Sequence, residues 1–160
     1  MTIRVADIGR DPRGSASTSA SRQQMLKNGV VTQTALRVIL VDDHSGFRAA
    51  VQSLLALDEQ FAVIASTDSA ESALEIISRA VHDHEAPPDL VVMDVNMAGM
   101  NGMVGAARMV AEHPGVKVVL CSTSPLSQLP PLPRHDDITF VSKDSIDPDA
   151  LREWASRQRA

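Results

Sequence analysis

Short runs of apolar residues alternate along the chain with segments in which apolar residues recur every three or four positions. The short runs predict buried strands, and the periodic segments predict helices with one apolar face. Strands are predicted at residues 36–41, 61–65, 90–93, 116–120 and 138–141. Helices are predicted to begin near Ser45, Asp68, Asn101 and Asp147. Because strands alternate with helices, the pattern predicts an α/β fold with a parallel sheet covered by helices on both faces.

Two of the helix starts carry capping signals, and one connection carries the opposite signal. Asp68 and Glu71 have the spacing of a capping box. Asp147 is a typical N-cap residue, and Pro148 follows it at the first helical position, where proline is favoured. Residues 124–133 hold four of the nine prolines. Since each interior proline would cost a helix about 3 kcal/mol, at most one helical turn fits between the fourth and fifth strands.

The first 34 residues differ from the rest of the chain in composition. They show no sustained periodicity, residues 14–21 are rich in Ser, and five basic residues stand against two acidic ones. We therefore predict a disordered basic tail at residues 1–34 and one globular domain at residues 35–160. A targeting peptide and a translation start at Met25 are alternative interpretations of the tail.

Composition limits the kind of protein. The formal net charge of −5 argues against nucleic acid as a direct partner. No apolar run has the length of a membrane span, and the single cysteine, Cys121, excludes an internal disulfide and fits a reducing compartment. The sequence therefore predicts a cytoplasmic protein that binds neither nucleic acid nor a membrane directly.

Polar residues stand at the carboxyl ends of four predicted strands. Asp42 and Asp43 follow the first strand, Asp94 the third, Ser122 the fourth and Lys143 the fifth. In a parallel sheet these ends share one edge, so the side chains can converge. Crowded carboxylates repel each other unless a cation neutralises them, and Mg²⁺ is a dication that prefers oxygen ligands. The metal and the lysine would together let the anionic carboxylate at position 94 attack an anionic phosphoryl group.

Each of these signals alone has a more common explanation. An acidic pair after a strand is most often a helix cap or a solvated turn, a lysine there is usually on the surface, and a serine is usually part of a turn. Their joint occurrence at strand ends, in this order, favours a shared site.

In this order the residues resemble a known family. Residues 36–157 resemble the receiver domain of two-component response regulators, and residues 41–48 (VDDHSGFR) are similar to the receivers that often precede a helix-turn-helix output domain. The resemblance implies a five-stranded doubly wound sheet of flavodoxin-like order 2-1-3-4-5. It also implies that Asp94 is the phosphoacceptor. We expect a single-domain regulator.

The resemblance also implies a set of metal ligands. Asp43 and Asp94 would bind Mg²⁺ directly, the backbone carbonyl of Asn96 would be a third ligand, and Asp42 would act through water. These assignments rest on the family's pattern.

Three further roles and two departures follow from the same resemblance. Ser122 would be the switch hydroxyl, Lys143 the lysine that binds the phosphoryl group, and Phe140 the aromatic residue that rotates on activation. The family usually has proline where Ala98 stands, so the loop after the phosphoacceptor is expected to be less rigid. The family's fourth helix is replaced here by the proline-rich residues 124–133, which places the usual output surface in question.

Partners and alternatives complete the sequence-based hypothesis. A sensor histidine kinase or phosphotransfer protein would supply the phosphoryl group, an unknown protein would receive the signal, and a homodimer is left open. No catalytic turnover is expected. One alternative is a receiver-like docking module that acts independently of phosphorylation. Another is a phosphatase of the haloacid dehalogenase type, which is disfavoured because Asn96 stands where that family needs a second aspartate.

Overall fold

Five parallel strands form the centre of the chain in the computed structural model, which describes residues 34–157. The strands are β1 Leu36–Val41, β2 Phe61–Thr67, β3 Leu90–Asp94, β4 Lys117–Ser122 and β5 Ile138–Ser142. They form one sheet in the order β2-β1-β3-β4-β5, with every neighbouring pair parallel. The predicted fold class and strand order are therefore confirmed. The predicted tail lies outside the described residues, apart from Thr34, and the domain boundary stays a prediction.

Burial explains why the strands have the sequences they have. Every residue of β3 and β4 is buried, as expected for central strands covered on both faces. The edge strand β2 is mostly half-buried and includes exposed positions. Register places Asp94, the last residue of β3, beside Cys121, the next-to-last residue of β4, so these two central strands end close together.

Helices cover both faces of the sheet. They are α1 Ser45–Leu55, α2 Ala70–His82, α3 Gly102–Glu112 and α4 Pro148–Ser156. One buried cluster joins the sheet to α2 and α3, with Ile77 and Met109 as fully buried members. A second joins the opposite face to α1 and α4 through Leu55 and Leu151. No helix within residues 34–157 is long and apolar enough to cross a membrane.

The helix starts agree with the predictions except at one position. Asp147 caps α4 by accepting the backbone N–H of Ala150 at 3.1 Å. The predicted capping box at Asp68 is wrong, because Ser69 is the N-cap residue of α2 and its hydroxyl accepts the N–H of Ser72 at 3.2 Å. With the helix starting one residue later, Glu71 no longer stands three residues after the cap and cannot complete the box.

The connection between β4 and β5 is largely irregular. Its helical structure is a single 3₁₀ turn at Leu126–Gln128, as the prolines predict. Two leucines of this connection, Leu129 and Leu132, are half-buried and pack against the core on the α2–α3 face. The prolines therefore replace a helix without detaching the segment from the domain.

Candidate functional site

Four strand ends bring the predicted polar residues to one edge of the sheet. Asp42 follows β1 and is 1% exposed, Asp94 ends β3 and is 3% exposed, and Ser122 ends β4 and is 1% exposed. Lys143 follows β5 directly and opens a short 3₁₀ turn. The prediction that residues a hundred positions apart converge at this edge is confirmed.

Lys143 holds the two buried carboxylates together. Its Nζ lies 2.5 Å from Oδ2 of Asp42 and 3.4 Å from Oδ1 of Asp94. The ring of Phe47 in α1 lies below the same ammonium, with its centroid 4.4 Å from Nζ. A cation in this position offsets the repulsion between the carboxylates and gains a favourable contact with the aromatic face.

The environment raises the pKa of both Asp94 and Lys143. Burial raises the pKa of Asp94 above its ordinary value, and the negative charge of Asp42 adds to this, while Lys143 and a backbone hydrogen bond from Asn96 oppose it. Burial alone would lower the pKa of Lys143, but its hydrogen bond to Asp42 and the two carboxylate charges outweigh burial and raise it. Lys143 is therefore protonated, and an added cation would favour the ionised form of Asp94.

Four side chains could hold that cation. Asp42, Asp43, His44 and Asp94 each bring one ligand atom to within 4.8 Å of the others. Three of the four donors are carboxylates, which is the ligand type that a hard divalent cation prefers. The donor set thus fits the predicted metal, although the sequence did not point to His44. Its Nδ1 lies 2.9 Å from Oδ1 of Asp43 and 3.2 Å from Oδ1 of Asp42.

Ser122 and Asn96 face each other across the site. Nδ2 of Asn96 lies 3.5 Å from Oγ of Ser122, at the long limit of a hydrogen bond. The same hydroxyl oxygen accepts the backbone N–H of Ser124 at 3.1 Å. Phe140 is half-buried in β5 and packs against the core on the α2–α3 face. The structure thus places Asn96 and Ser122 in the site and Phe140 in the neighbouring core.

Arg48 is a site residue that sequence analysis missed. Its guanidinium donates from Nη1 to the backbone carbonyl of Asp42 and from Nε to Oγ of Ser66 at 3.1 Å. It therefore ties the residue that follows β1 to both α1 and β2. The available signal was its position in α1, one helical turn after His44, on the side that faces the strand end.

Cys121 lies beside the phosphoacceptor candidate. Its backbone carbonyl accepts the N–H of Val95 at 2.9 Å, and its side chain is buried. Burial raises the pKa of this thiol to about 12. A thiol in this state behaves as a small apolar side chain and takes no part in the chemistry of the site.

Comparison with known proteins gives the same result as the fold and the site. A family model described as the response regulator receiver domain matches residues 38–153. The transcriptional regulatory protein DegU from Brevibacillus brevis is 29% identical over 115 residues, which are 72% of this chain and 42% of DegU. The response regulator GacA from Pseudomonas viridiflava is 33% identical over 93 residues, which are 56% of this chain and 41% of GacA. The chain thus spans less than half the length of these curated relatives.

A solved structure extends the similarity to three dimensions. The signal receiver domain of NarL from Mycobacterium tuberculosis superimposes with a TM-score of 0.62 and 26% sequence identity, and the match covers 78% of this chain and 99% of that domain. The family-model match covers the acidic edge of the sheet, by which we mean Asp42, Asp43, Asp94 and Lys143. The chain belongs to the response regulator receiver domain family of two-component systems.

Proposed function

We propose that this protein is a phosphoacceptor response regulator that takes up a phosphoryl group on Asp94 in a Mg²⁺-dependent reaction. The observation that carries the proposal is the placement of Asp94. Its carboxylate lies at the buried end of β3, 3.4 Å from the ammonium of Lys143 and within the acidic cluster. A carboxylate in this position is shielded from water by burial and lies beside the positive charge of Lys143.

The proposed reaction is a single phosphoryl transfer. An oxygen of Asp94 forms a bond to phosphorus while the bond from phosphorus to the donor's leaving group breaks. In a phosphohistidine donor the leaving group is the imidazole nitrogen, which keeps the electron pair and is then protonated. Lys143 supports the transfer because its ammonium can follow the negative charge from the carboxylate to the incoming phosphoryl oxygens.

The metal would be held by the acidic edge. Asp43 and Asp94 would bind Mg²⁺ directly, with Asp42 acting through water and the backbone carbonyl of Asn96 as a further ligand. When bound, Mg²⁺ supplies the positive charge that lets an anionic nucleophile approach an anionic phosphoryl group. The donor set supports this assignment, since three carboxylates surround one small volume.

The response to phosphorylation would begin at Ser122. A phosphoryl group adds about −1.5 to −2 charges at pH 7, together with strong acceptor oxygens. The Ser122 hydroxyl would then donate to one of these oxygens and leave its 3.5 Å contact with Asn96. In this proposal Phe140 follows by rotating in β5, and the changed surface is recognised by a downstream protein.

The proposal also covers partners and location. A sensor histidine kinase or a phosphotransfer protein in the cytoplasm would be the donor, and assembly into a homodimer is left open. Turnover of a phosphomonoester is not proposed, because Asn96 cannot act as the acid or base that a hydrolase needs at that position.

Intact-mass measurement after incubation with acetyl phosphate and Mg²⁺ tests the proposal. The wild-type protein should gain one phosphoryl group, and D94N should gain none. D136N is the matched control, since Asp136 is an exposed aspartate in the β4–β5 connection, and it should be labelled like the wild type. Chelation of Mg²⁺ should stop labelling of all variants.

Failure of labelling would support the docking alternative. If neither acetyl phosphate nor a phosphohistidine donor labels the wild type in the presence of Mg²⁺, the proposal is wrong. A docking module that acts independently of phosphorylation would then bind its partner equally well as wild type and as D94N.

A further inference from the structure

The loop between β3 and α3 carries the residues that follow the phosphoacceptor, and it is fixed at both ends. At its start, the N–H of Val95 bonds to the carbonyl of Cys121 at 2.9 Å. At its end, Asn101 caps α3, and the N–H of Gly102 bonds back to the carbonyl of Val95 at 3.0 Å. A Cβ at position 102 would lie 2.0 Å from the carbonyl oxygen of Asp94, so only glycine fits where the helix meets the strand end.

The middle of the loop is held from outside, by a side chain of α2. The backbone N–H of Met100 donates to Oε1 of Glu71 at 2.8 Å. Gly99 has a φ of +83°, and a Cβ there would lie 3.1 Å from the same carboxylate oxygen. The left-handed turn at Gly99 therefore wraps closely around the carboxylate. No ring at Ala98 restricts the backbone, so the shape of the loop depends on such contacts.

Glu71 is itself attached to a rigid element. It lies in the first turn of α2, whose N-terminus is capped by Ser69. The next-door residue, Ala70, is fully buried, and a Cβ at Gly105 of α3 would lie 2.8 Å from its methyl group. Because α2 and α3 approach so closely, helix packing fixes the backbone from which the Glu71 side chain extends, independently of the loop.

The loop in turn places groups that contact the phosphoacceptor. The backbone N–H of Asn96 hydrogen-bonds the Asp94 carboxylate. The side chain of the same residue reaches Ser122. A shift of the loop would therefore move both contacts at once.

We infer that Glu71 is a positioning residue for phosphorylation of Asp94: its carboxylate fixes the β3–α3 loop, and through the loop it fixes Asn96. The inference rests on the proposed function. Glu71 touches neither the phosphoryl donor nor the reacting atoms, so its effect passes entirely through the hydrogen bond to Met100. What matters is an acceptor oxygen at the right distance and not the negative charge.

Four variants separate the role of the acceptor oxygen of Glu71 from the role of its negative charge. E71A removes the acceptor, E71D keeps the charge but withdraws the oxygen by one methylene, and E71Q keeps an acceptor oxygen at full length without the charge. E75A is the matched control, because Glu75 is an exposed glutamate one helical turn further along α2. The measurements are the rate of acetyl-phosphate labelling in Mg²⁺ and hydrogen exchange of the Met100 amide.

We expect variants that lose the acceptor oxygen to be impaired and the variant that loses only the charge to resemble the wild type. E71A and E71D should be labelled about tenfold more slowly, since small displacements at a reacting centre cost at least this much, and should lose protection of the Met100 amide. E71Q and E75A should stay within about twofold of the wild type and keep that protection. Thermal unfolding of each variant shows whether it is folded, and E71D provides the acceptor test if E71A is not.

Two outcomes would overturn the inference. Labelling of E71D at the wild-type rate would show that an acceptor oxygen at the full side-chain length is not needed. A loss in E71Q as large as the loss in E71A would show that the negative charge matters. A wild-type protein that takes up no phosphoryl group would instead contradict the proposed function, while the exchange of the Met100 amide would still report whether Glu71 holds the loop.

Discussion

The acidic edge of the sheet and the β4–β5 connection lie next to each other but are built in opposite ways. At the edge, Asp42 and Asp94 are buried and joined by Lys143 through contacts of 2.5 Å and 3.4 Å. In the connection, Leu126 is 48% exposed and belongs to a single 3₁₀ turn between prolines. The edge is specified by many long-range contacts, whereas the connection is specified mainly by local backbone restrictions.

This difference shows what the domain needs in order to keep its site. The strand ends are placed by the register of a parallel sheet, and that register depends on core packing on both faces. The connection from β4 to β5 needs only to reach both strands and to place Leu129 and Leu132 against the core, which does not require a helix. A receiver domain can therefore replace a helix by a proline-rich segment and keep its acidic edge.

Removal of the Lys143 ammonium should change stability more than any other substitution considered for the two regions. K143M leaves two buried carboxylates without their partner, so we expect the free energy of unfolding to fall by about 3 kcal/mol in the absence of Mg²⁺. Mg²⁺ should restore part of this loss, because it binds the folded protein preferentially. Urea unfolding with and without Mg²⁺ measures both effects.

An exposed ion pair provides the control for this experiment. Arg108 and Glu112 in α3 form an exposed pair at 3.0 Å, and R108M should change stability by at most about 0.5 kcal/mol. Equal effects of K143M and R108M would contradict the view that the edge is held by buried charge.

Removal of the acidic charge at position 94 should act in the opposite direction. Burial and the charge of Asp42 raise the pKa of Asp94, so the protonated carboxyl is favoured in the folded state. The stability linked to that proton is fully present below the ordinary pKa of 3.8 and is lost as the pH rises through the raised value. Without Mg²⁺, D94N should therefore be more stable than the wild type at neutral pH, by about 1 kcal/mol or a few degrees in Tm.

The pH dependence distinguishes this explanation from a general effect of the amide. The difference in Tm between D94N and the wild type should shrink as the pH is lowered and be smallest below 3.8, where the aspartate is protonated in both states. A difference that is independent of pH, or a D94N protein that is less stable at neutral pH, would show that ionisation of Asp94 does not strain the site.

The connection should give the smallest effect. L126A removes a side chain that is already half in solvent, and we expect the free energy of unfolding to change by less than about 0.5 kcal/mol. L129A should have a larger effect, because Leu129 packs against the core. We expect it to lower the free energy of unfolding by about 1 kcal/mol. A large effect of L126A in urea unfolding would show that the turn supports the fold as the edge does.

The features that the sequence predicted are those with a periodic or local cause. Apolar runs locate the five strands, and the polar residues that end them predict the shared edge. The prolines predict the short turn at Leu126–Gln128 for an equally local reason, since they exclude a helix. These features need no knowledge of which elements touch.

The features that were missed depend on contacts between distant elements. Lys117 looks like an exposed residue at the start of a strand, yet it is 8% exposed and its ammonium reaches the backbone carbonyls of Trp154 and Arg157 at the end of α4. Glu71 has the spacing of a capping residue, yet its carboxylate bonds to Met100 in another loop. Local patterns cannot show such partners, because the partner is chosen by packing.

The single cysteine beside the phosphoacceptor gives the domain a built-in reporter of opening. Cys121 pairs with Asp94 across β3 and β4, is 1% exposed, and has a pKa raised to about 12. A thiol reagent therefore meets almost no thiolate while the sheet is closed. The rate at which Cys121 is labelled therefore measures how often the core between the sheet and helices α1 and α4 opens beside the acidic edge, without an added probe.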